Sequence, residues 1–155
     1  MNTTRVTREW LLAMNSSYEI RTGSEKMIVE SIYNFLVTSY WSKGISKEIV
    51  QKAIENSLCV GVFLNDEQIG FARATTDRAT FAYIADVYIL QEHRGMGLGK
   101  KVLDTLFGHP DLQGLRRMML ATRDAHSLYT RYEFSELVSP NTMMENWKPN
   151  VYSNE

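Results

Sequence analysis

The chain has 155 residues, of which 44% are hydrophobic and 23% are charged, and these are the proportions of one soluble globular domain. Its formal net charge of −1 provides no overall basic field, which argues against a nucleic-acid-binding protein. No apolar stretch reaches the roughly 18 residues of a membrane span, and the first residues lack the apolar centre of a signal peptide, so a cytoplasmic protein without a membrane partner is expected.

The predicted elements begin with a short strand at "SYEIRT" and continue with two amphipathic helices. Ser24 is expected to cap the first helix and Ser46 the second, because a serine oxygen accepts hydrogen bonds from the free amides of a helix start. Helical periodicity turns four apolar side chains of each helix inward. They are Ile28, Ile32, Phe35 and Leu36 in the first helix, and Ile49, Val50, Ala53 and Ile54 in the second.

Three strands are predicted next. "LCVGVFL" and "QIGFARATT" flank the polar turn "NDE", a pattern typical of an antiparallel hairpin, and "TFAYIADVYIL" follows another short turn at residues 76–78. The single cysteine, Cys59, lies inside the first of these runs. It has no partner for a disulfide or a metal site, so a buried, inert thiol is expected.

The last third of the chain is predicted to hold a helix, a strand, a short helix and a final strand. The first helix carries the stripe Leu98, Val102, Leu103, Leu106 and Phe107 and ends at "GHP". "LRRMMLAT", "DAHSLYTRY" and "FSELVS" are the other three elements. The order β-α-α-β-β-β-α-β-α-β indicates a mixed α/β domain with helices on both faces of a sheet. One domain over residues 1–155 is expected, with an N-terminal extension at 1–16 and a C-terminal segment at 139–155.

The run "RGMGLGK" at residues 94–100 places three glycines where a strand gives way to a helix. A P-loop is excluded, because only three residues separate Gly95 from Gly99 and no Ser or Thr follows Lys100. A Rossmann fingerprint needs its third glycine where Lys100 stands and an early parallel strand before it, so that interpretation is weak.

Two interpretations of this run remain. Positions without side chains at Gly95, Gly97 and Gly99 would let an anion approach the free N–H groups of the helix start, where the helix dipole favours negative charge. Arg94 and Lys100 add positive charge at either end, which suits a pyrophosphate. The alternative is an ordinary glycine turn with solvated charges.

Because of these residues, the sequence resembles the GNAT superfamily of acyl-CoA-dependent N-acetyltransferases over residues 17–138. Its signature, Gln/Arg-x-x-Gly-x-Gly/Ala, is matched by Arg94, Gly97 and Gly99. A second family segment is matched by "TRDAHSLYTRYEF", with Ala125, Leu128, Tyr129 and Phe134 at the corresponding places. Two residues depart from the pattern. Thr122 stands where many members have Asn, which predicts a weaker cofactor contact, and Glu133 stands where Gly is usual, which predicts a different or strained turn.

The resemblance implies acetyl-CoA as the cofactor and a GNAT-like acyl-CoA N-acyltransferase fold, of α+β type with a mixed, mostly antiparallel sheet. The pyrophosphate would lie on the backbone of the glycine run, and the pantetheine arm would pair with the fourth strand, which the family splays from the fifth. The cofactor-binding positions carried over are Val87, Tyr88, Ile89, Arg94, Gly95, Met96, Gly97, Leu98, Gly99, Lys100, Thr122 and Tyr129.

The implied reaction is direct acetyl transfer to a primary amine of a small molecule or peptide. Tyr129 matches the family's general acid, and a phenol with a reference pKa of about 10 is protonated at neutral pH. Asp86 is a candidate general base, because a carboxylate in an apolar strand needs a specific partner; a buried structural Asp is equally open. Tyr83 is a second candidate, and strand alternation puts it on the opposite face from Asp86 unless a bulge intervenes. His126 shares a helical face with Tyr129, although a surface histidine is the favoured interpretation.

Acceptor recognition in this family involves the loop between the first two helices and the C-terminal region. The residues that could contribute are the aromatics Tyr40, Trp41 and Trp147, for which ordinary packing is the alternative, and the polar Arg73 and Asp77. His93 and His109 are expected to be structural or solvated. No metal site is expected, and the acceptor itself is not identified.

Two other classes of function stand beside acetyl transfer. A non-catalytic acyl-CoA-binding sensor or interaction module would use the same fold, and Tyr129 argues weakly against it. Nucleotide or nucleic-acid binding through the basic loop is disfavoured by the glycine spacing and by the net charge. Dimers are frequent in the family, so a homodimer is compatible with the resemblance.

Overall fold

A five-stranded sheet in the order β1-β2-β3-β4-β5 organises the computed structural model, which describes residues 17–153. The expected N-terminal extension therefore lies outside the described residues. The strands are β1 (Tyr18–Thr22), β2 (Leu58–Leu64), β3 (Glu67–Thr76), β4 (Phe81–Ile89) and β5 (Arg117–Leu120). The helices are α1 (Val29–Leu36), α2 (Lys47–Glu55), α3 (Leu98–Phe107) and α4 (His126–Thr130).

The sheet is mixed. β1 to β4 pair antiparallel, and β5 pairs parallel with β4. Between β2 and β3 the chain reverses at Asn65 and Asp66, whose φ angles of 50° and 64° belong to a tight hairpin turn that Asn and Asp tolerate. Because parallel strands need a crossover, α3 connects β4 to β5. The predicted mixed, mostly antiparallel sheet is confirmed.

Helices cover both faces of the sheet, as predicted. On one face Leu98, Val102 and Leu106 of α3 are buried against the apolar side chains of β2 and β3. On the other face, α1 and α2 bury four residues against Phe63 and Phe71; these are Ile32, Leu36, Val50 and Ile54. Each such side chain contributes roughly 1.5–3 kcal/mol when it leaves water. None of the helices within residues 17–153 is both long and apolar enough to cross a bilayer.

Two expectations for the first helices were wrong. Ser24 begins a 3-10 turn and does not cap α1, which starts at Val29; the free amide of Ile28 donates instead to Oε1 of Gln68 at 2.7 Å. Ser46 does cap α2, through its side chain and the amide of Ile49. The side chain of Ile49 nevertheless stays 42% exposed, because the buried stripe of α2 runs through Val50 and Ile54.

The predicted last strand at "FSELVS" is wrong. Within residues 17–153 the sheet ends at β5, and residues 134–139 are irregular. Phe134 packs against the α3 core, but Leu137 and Val138 are 45% and 96% exposed, so no neighbouring strand covers the apolar pattern. The chain turns at Glu133, whose φ of 68° lies in the left-handed region that favours glycine. A strained turn at this residue had been expected.

Candidate active site

β4 and β5 separate halfway along their length. β5 pairs only with Phe81 to Ile84 of β4, so the rest of β4 has no strand partner on that side within the described residues. Backbone groups of Val87, Tyr88 and Ile89, the positions expected to meet the pantetheine arm, lie in this unpaired half. Such an opening offers hydrogen-bonding backbone to an extended ligand.

A β-bulge interrupts β4 within the opening. Arg73 of β3 pairs with Ala85 and Phe71 pairs with Tyr88, so Asp86 and Val87 stand opposite one residue. Asp86 has a φ of 56°, an uncommon value for a residue with a side chain. Backbone conformations of this kind concentrate at functional sites and persist only when their surroundings hold them.

The bulge brings the two candidate bases to one face of the sheet. Tyr83 lies between Ala82 and Ile84, which point into the α3 core, so its own side chain faces the α1 and α2 side. Asp86 faces the same side, where it binds Arg73. Strand alternation alone would have separated the two, and the bulge reverses that outcome.

The Asp86 carboxylate is shared by two donors. Nε of Arg73 donates to Oδ2 at 2.6 Å, and Nε1 of Trp41 donates to Oδ1 at 2.8 Å. The Asp86 side chain is only 7% exposed. The Arg73 guanidinium is itself held, because its other donors reach the hydroxyls of Ser57 and Thr75 at 3.1 and 2.9 Å. The Asp86 side chain thus joins β4 to β3 and to the loop at residues 37–46, called the α1–α2 loop below.

The glycine loop, residues 94–100, is open above its glycines. Gly95 and Gly97 have φ angles of 82° and 75°, a conformation that glycine adopts without strain. A Cβ atom at either position would meet no atom of the described residues within 4 Å. At Gly99 it would meet only Ile89, at 3.9 Å. The turn conformation and the free space above it, not crowding by the protein, distinguish these positions.

Beyond Arg94, whose amide donates to the carbonyl of Gln91 at 3.2 Å, the amides of this loop have no acceptor in the described part of the chain. α3 starts at Leu98 with Gly97 as its N-cap, and no side chain caps it and no acidic residue stands in its first turn. Within residues 17–153 no acceptor meets the N–H groups of residues 95–100. Partial positive charge therefore faces the open space, as an anion site requires.

The two basic residues at the ends of the loop have separate contacts. Nε of Arg94 donates to the carbonyl of Ile89 at 2.8 Å, which ties the loop to the end of β4. Nζ of Lys100 pairs with Asp104 at 2.7 Å, and Tyr132 donates to the same carboxylate at 2.7 Å. These contacts hold the pKa of Asp104 below its usual range. The bridge to Asp104 offsets part of the Lys100 charge.

Tyr129 presents a free hydroxyl from a buried ring. The residue is 8% exposed, and its ring packs edge-on against Phe134. Its hydroxyl has no hydrogen-bond partner within residues 17–153 and keeps contact with solvent. Burial, followed by the nearby Tyr40, raises the pKa of Tyr129. The hydroxyl of Thr122 accepts from the amide of Ala125 at 3.0 Å and so fixes the start of α4.

Tyr88 directs its side chain away from the opening. Its ring stacks on Phe35 with 3.8 Å between centroids, and its hydroxyl is buried without a hydrogen-bond partner in the described part of the chain. Burial, with the charge of Asp86 as a smaller cause, raises the pKa of this phenol. Only the backbone of Tyr88 is therefore available to the opening.

We expect Tyr88→Phe to raise the free energy of unfolding by about 1 kcal/mol, because it removes a buried hydroxyl that lacks a partner. Urea denaturation followed by circular dichroism measures the change. Tyr83→Phe is the matched control, since Tyr83 is 39% exposed and should change stability little. A loss of stability in Tyr88→Phe would mean that the hydroxyl has a partner in solution.

The α1–α2 loop carries aromatic side chains toward the same region. The rings of Tyr40 and Trp41 meet edge to face, with 5.0 Å between centroids. The guanidinium of Arg123 lies over the Tyr40 ring at 3.8 Å. A cavity of about 60 Å³ lies between this side of the sheet and the helices α1 and α2, with Arg73 and Asp86 at its polar end. Sequence patterns missed Arg123, because nothing in its neighbourhood predicts a contact with a residue so distant along the chain.

The remaining candidates lie elsewhere or are engaged locally. His93 binds the hydroxyl of Tyr18 through Nδ1 at 2.7 Å, and Nδ1 of His109 accepts from the amide of Asp111. Asp77 accepts from the hydroxyl of Thr80 and from the amides of its own turn, which together hold the pKa of its carboxyl low. His126 and Trp147 are exposed. Among residues 17–153 no cluster of His, Cys, Asp and Glu could hold a metal ion.

Comparison with known proteins covers most of the chain. The model of the acetyltransferase (GNAT) family matches residues 29–134. A proposed acetyltransferase of Gibberella zeae is 34% identical over 135 residues, which are 72% of this chain and 75% of that protein.

Solved structures give the same result. The crystal structure of a proposed GNAT acetyltransferase from Xanthomonas campestris superposes with a TM-score of 0.86 at 44% identity, covering 88% of this chain and 96% of that one. A proposed acetyltransferase from Clostridium acetobutylicum, solved with acetyl-CoA, shares the fold at a TM-score of 0.63 and 15% identity, covering 83% of this chain and 95% of that one.

Proposed function

Since the chain belongs to the GNAT acetyltransferase family, we propose that it transfers the acetyl group of acetyl-CoA directly to a primary amine of a small molecule or peptide. The observation that carries the proposal is the continuous opening formed by the unpaired half of β4 and the glycine loop. Both parts expose backbone hydrogen-bonding groups, and α4, which follows β5 along the chain, carries the unengaged hydroxyl of Tyr129.

The residues present fit acetyl-CoA. The unpartnered amides of residues 95–100 suit the pyrophosphate, because they stand at a helix start with free space above Gly95 and Gly97. The backbone of residues 87–89 suits the pantetheine arm, which carries amides of its own. Thr122 would contribute less, because its hydroxyl is used at the start of α4. When bound, acetyl-CoA supplies the acetyl group as a thioester.

Three groups of this chain would then act on the reaction. Backbone N–H groups of the β4 bulge at Asp86 and Val87 would stabilise negative charge as it develops on the carbonyl oxygen. Tyr129 would protonate the leaving sulfur, since burial keeps its phenol neutral at physiological pH. Asp86, which stands 2.6 Å from the Arg73 guanidinium, would attract the protonated acceptor and, through water, take up its proton.

Transfer is tested by free CoA release from acetyl-CoA against a panel of primary amines and peptides, followed with a thiol reagent. Each amine is paired with its N,N-dimethyl analogue, which cannot be acetylated, and mass spectrometry identifies the product. Cys59 should not interfere, because burial raises its pKa to about 12 and leaves its thiol protonated. We expect release and an acetylated product with at least one primary amine.

The outcomes separate the candidate functions. Turnover on an amine with the dimethyl analogue inactive supports acetyl transfer. Tight acetyl-CoA binding in calorimetry with no turnover on a broad panel favours the non-catalytic sensor or interaction module. Absence of acetyl-CoA binding contradicts both functions.

A further inference from the structure

We propose that Arg73 and Trp41 are positioning residues for this reaction: through the carboxylate of Asp86 they fix the β4 bulge and hold the α1–α2 loop over it. The inference rests on the proposed acetyl transfer for its kinetic meaning. Three elements meet at one carboxylate, because Asp86 belongs to β4, Arg73 to β3 and Trp41 to the loop. We call this set the Asp86 clamp.

The bulge needs support that its own backbone does not give. Asp86 stands at a φ of 56°, which is strained for a residue with a side chain and persists where side-chain contacts over-determine it. The bonds of 2.6 and 2.8 Å to the carboxylate provide such contacts, and both are charge-assisted. Arg73 cannot swing freely, because Ser57 and Thr75 bind its guanidinium from the other side. The amides proposed to stabilise the carbonyl oxygen are therefore placed by a fixed side chain.

The same carboxylate sets the position of the loop. Trp41 donates its indole N–H to Asp86, while its ring contacts Phe35 of α1 and Tyr40 next to it in the chain. The ring of Tyr40 in turn contacts the guanidinium of Arg123, which belongs to the segment between β5 and α4. The loop thus reaches from the bulge toward the segment that holds Tyr129. A shift of Trp41 would therefore displace two parts of the site together, the α1–α2 loop, which is expected to contact the acceptor, and the β4 bulge.

The clamp is measured without turnover by NMR of the indole N–H groups. The chain has three tryptophans, and the Trp41 signal is assigned by its absence in Trp41→Phe. We expect this signal to lie downfield of the Trp147 signal and to exchange more slowly, because Trp147 is 71% exposed. Arg73→Gln should move it, although no hydrogen bond among the described residues joins Arg73 directly to Trp41. An unmoved Trp41 signal in Arg73→Gln would overturn the coupling.

Kinetic measurements distinguish a positioning role of Trp41 and Arg73 from a contribution to the stability of the fold alone. Trp41→Phe keeps an aromatic ring, although a smaller one, and removes one charge-assisted bond, so we expect KM for the acceptor to rise about tenfold while the Kd for acetyl-CoA stays within about twofold. Arg73→Lys keeps the charge but not the planar fork, and kcat should fall about tenfold. The controls are Arg116→Lys and Lys52→Arg, both at exposed positions.

The kinetic results and the NMR results test different parts of the proposal. Trp41→Phe and Arg73→Lys that behave like their controls would overturn the positioning role. Loss of acetyl-CoA binding in step with a fall in melting temperature would reduce the clamp to a structural contact. If the wild-type protein transfers no acetyl group to any amine, the proposed function fails, while the indole N–H spectra still decide whether the clamp exists.

Discussion

Gly97→Asp is expected to abolish acetyl-CoA binding, with a Kd at least about 100-fold weaker than that of the wild type. A Cβ at Gly97 points into space free of atoms of the described residues, which is the space proposed for the pyrophosphate. A carboxylate placed there would occupy the site, accept hydrogen bonds from the loop amides and repel a ligand of like charge. Each of these effects acts against the ligand.

The same substitution should leave the fold intact. Gly97 is the N-cap of α3, and Asp is among the residues preferred at that position. Its φ of 75° is left-handed, which Asp tolerates better than most residues. Negative charge at a helix start is also favourable. We therefore expect only a small fall in melting temperature, of the size that Asp also causes at Gly114, whose φ is left-handed as well, so that lost binding can be attributed to the site.

Isothermal titration calorimetry with acetyl-CoA measures this prediction. Gly114→Asp is the matched control, because Gly114 also has a positive φ, of 71°, and open space around its Cβ position, but lies in the turn before β5. It should bind acetyl-CoA like the wild type. Unchanged affinity in Gly97→Asp would refute the role of the loop, whatever the control does.

The parts of the site that are local in sequence could be predicted. The glycine loop, the start of α3 and the stripe that α3 buries depend on residues within two turns of one another, and the structure has them as expected. The hairpin at Asn65 and Asp66 is local in the same way. The family resemblance predicted how these elements are arranged in one fold, and the comparisons confirm that fold.

The contacts that join distant segments could not be predicted. Trp41 and Asp86 are 45 residues apart, and their hydrogen bond depends on a bulge in β4 that the spacing of residues in the sequence does not predict. Ser24 was expected to cap a helix because its type suits a cap, but the buried side chain of Gln68 supplies an acceptor for the helix start instead. "FSELVS" was expected to form a strand, yet among residues 17–153 no neighbouring strand is available to cover Leu137 and Val138. Tertiary partners decided each of these cases.

Tyr129→Phe is expected to lower kcat by about 10²- to 10⁴-fold, the range that a positioned general acid supplies. The substitution removes only the hydroxyl, and the ring keeps its contact with Phe134. Because that hydroxyl has no hydrogen-bond partner in the described residues, stability should be unchanged. The Kd for acetyl-CoA should stay within about twofold, since the pyrophosphate and the arm are proposed to bind through the backbone.

Two comparisons make the Tyr129 result specific. Tyr132→Phe alters a tyrosine three residues away whose hydroxyl binds Asp104, so it should keep kcat and lose some stability. The pH dependence gives the second comparison: burial raises the pKa of Tyr129, so the neutral, proton-donating form persists above pH 10. A fall of wild-type kcat between pH 7 and 9 must therefore arise from another group, and Tyr129→Phe should retain it. If Tyr129→Phe keeps the full kcat, the leaving sulfur does not take its proton from Tyr129, and the role of general acid proposed for this residue is refuted.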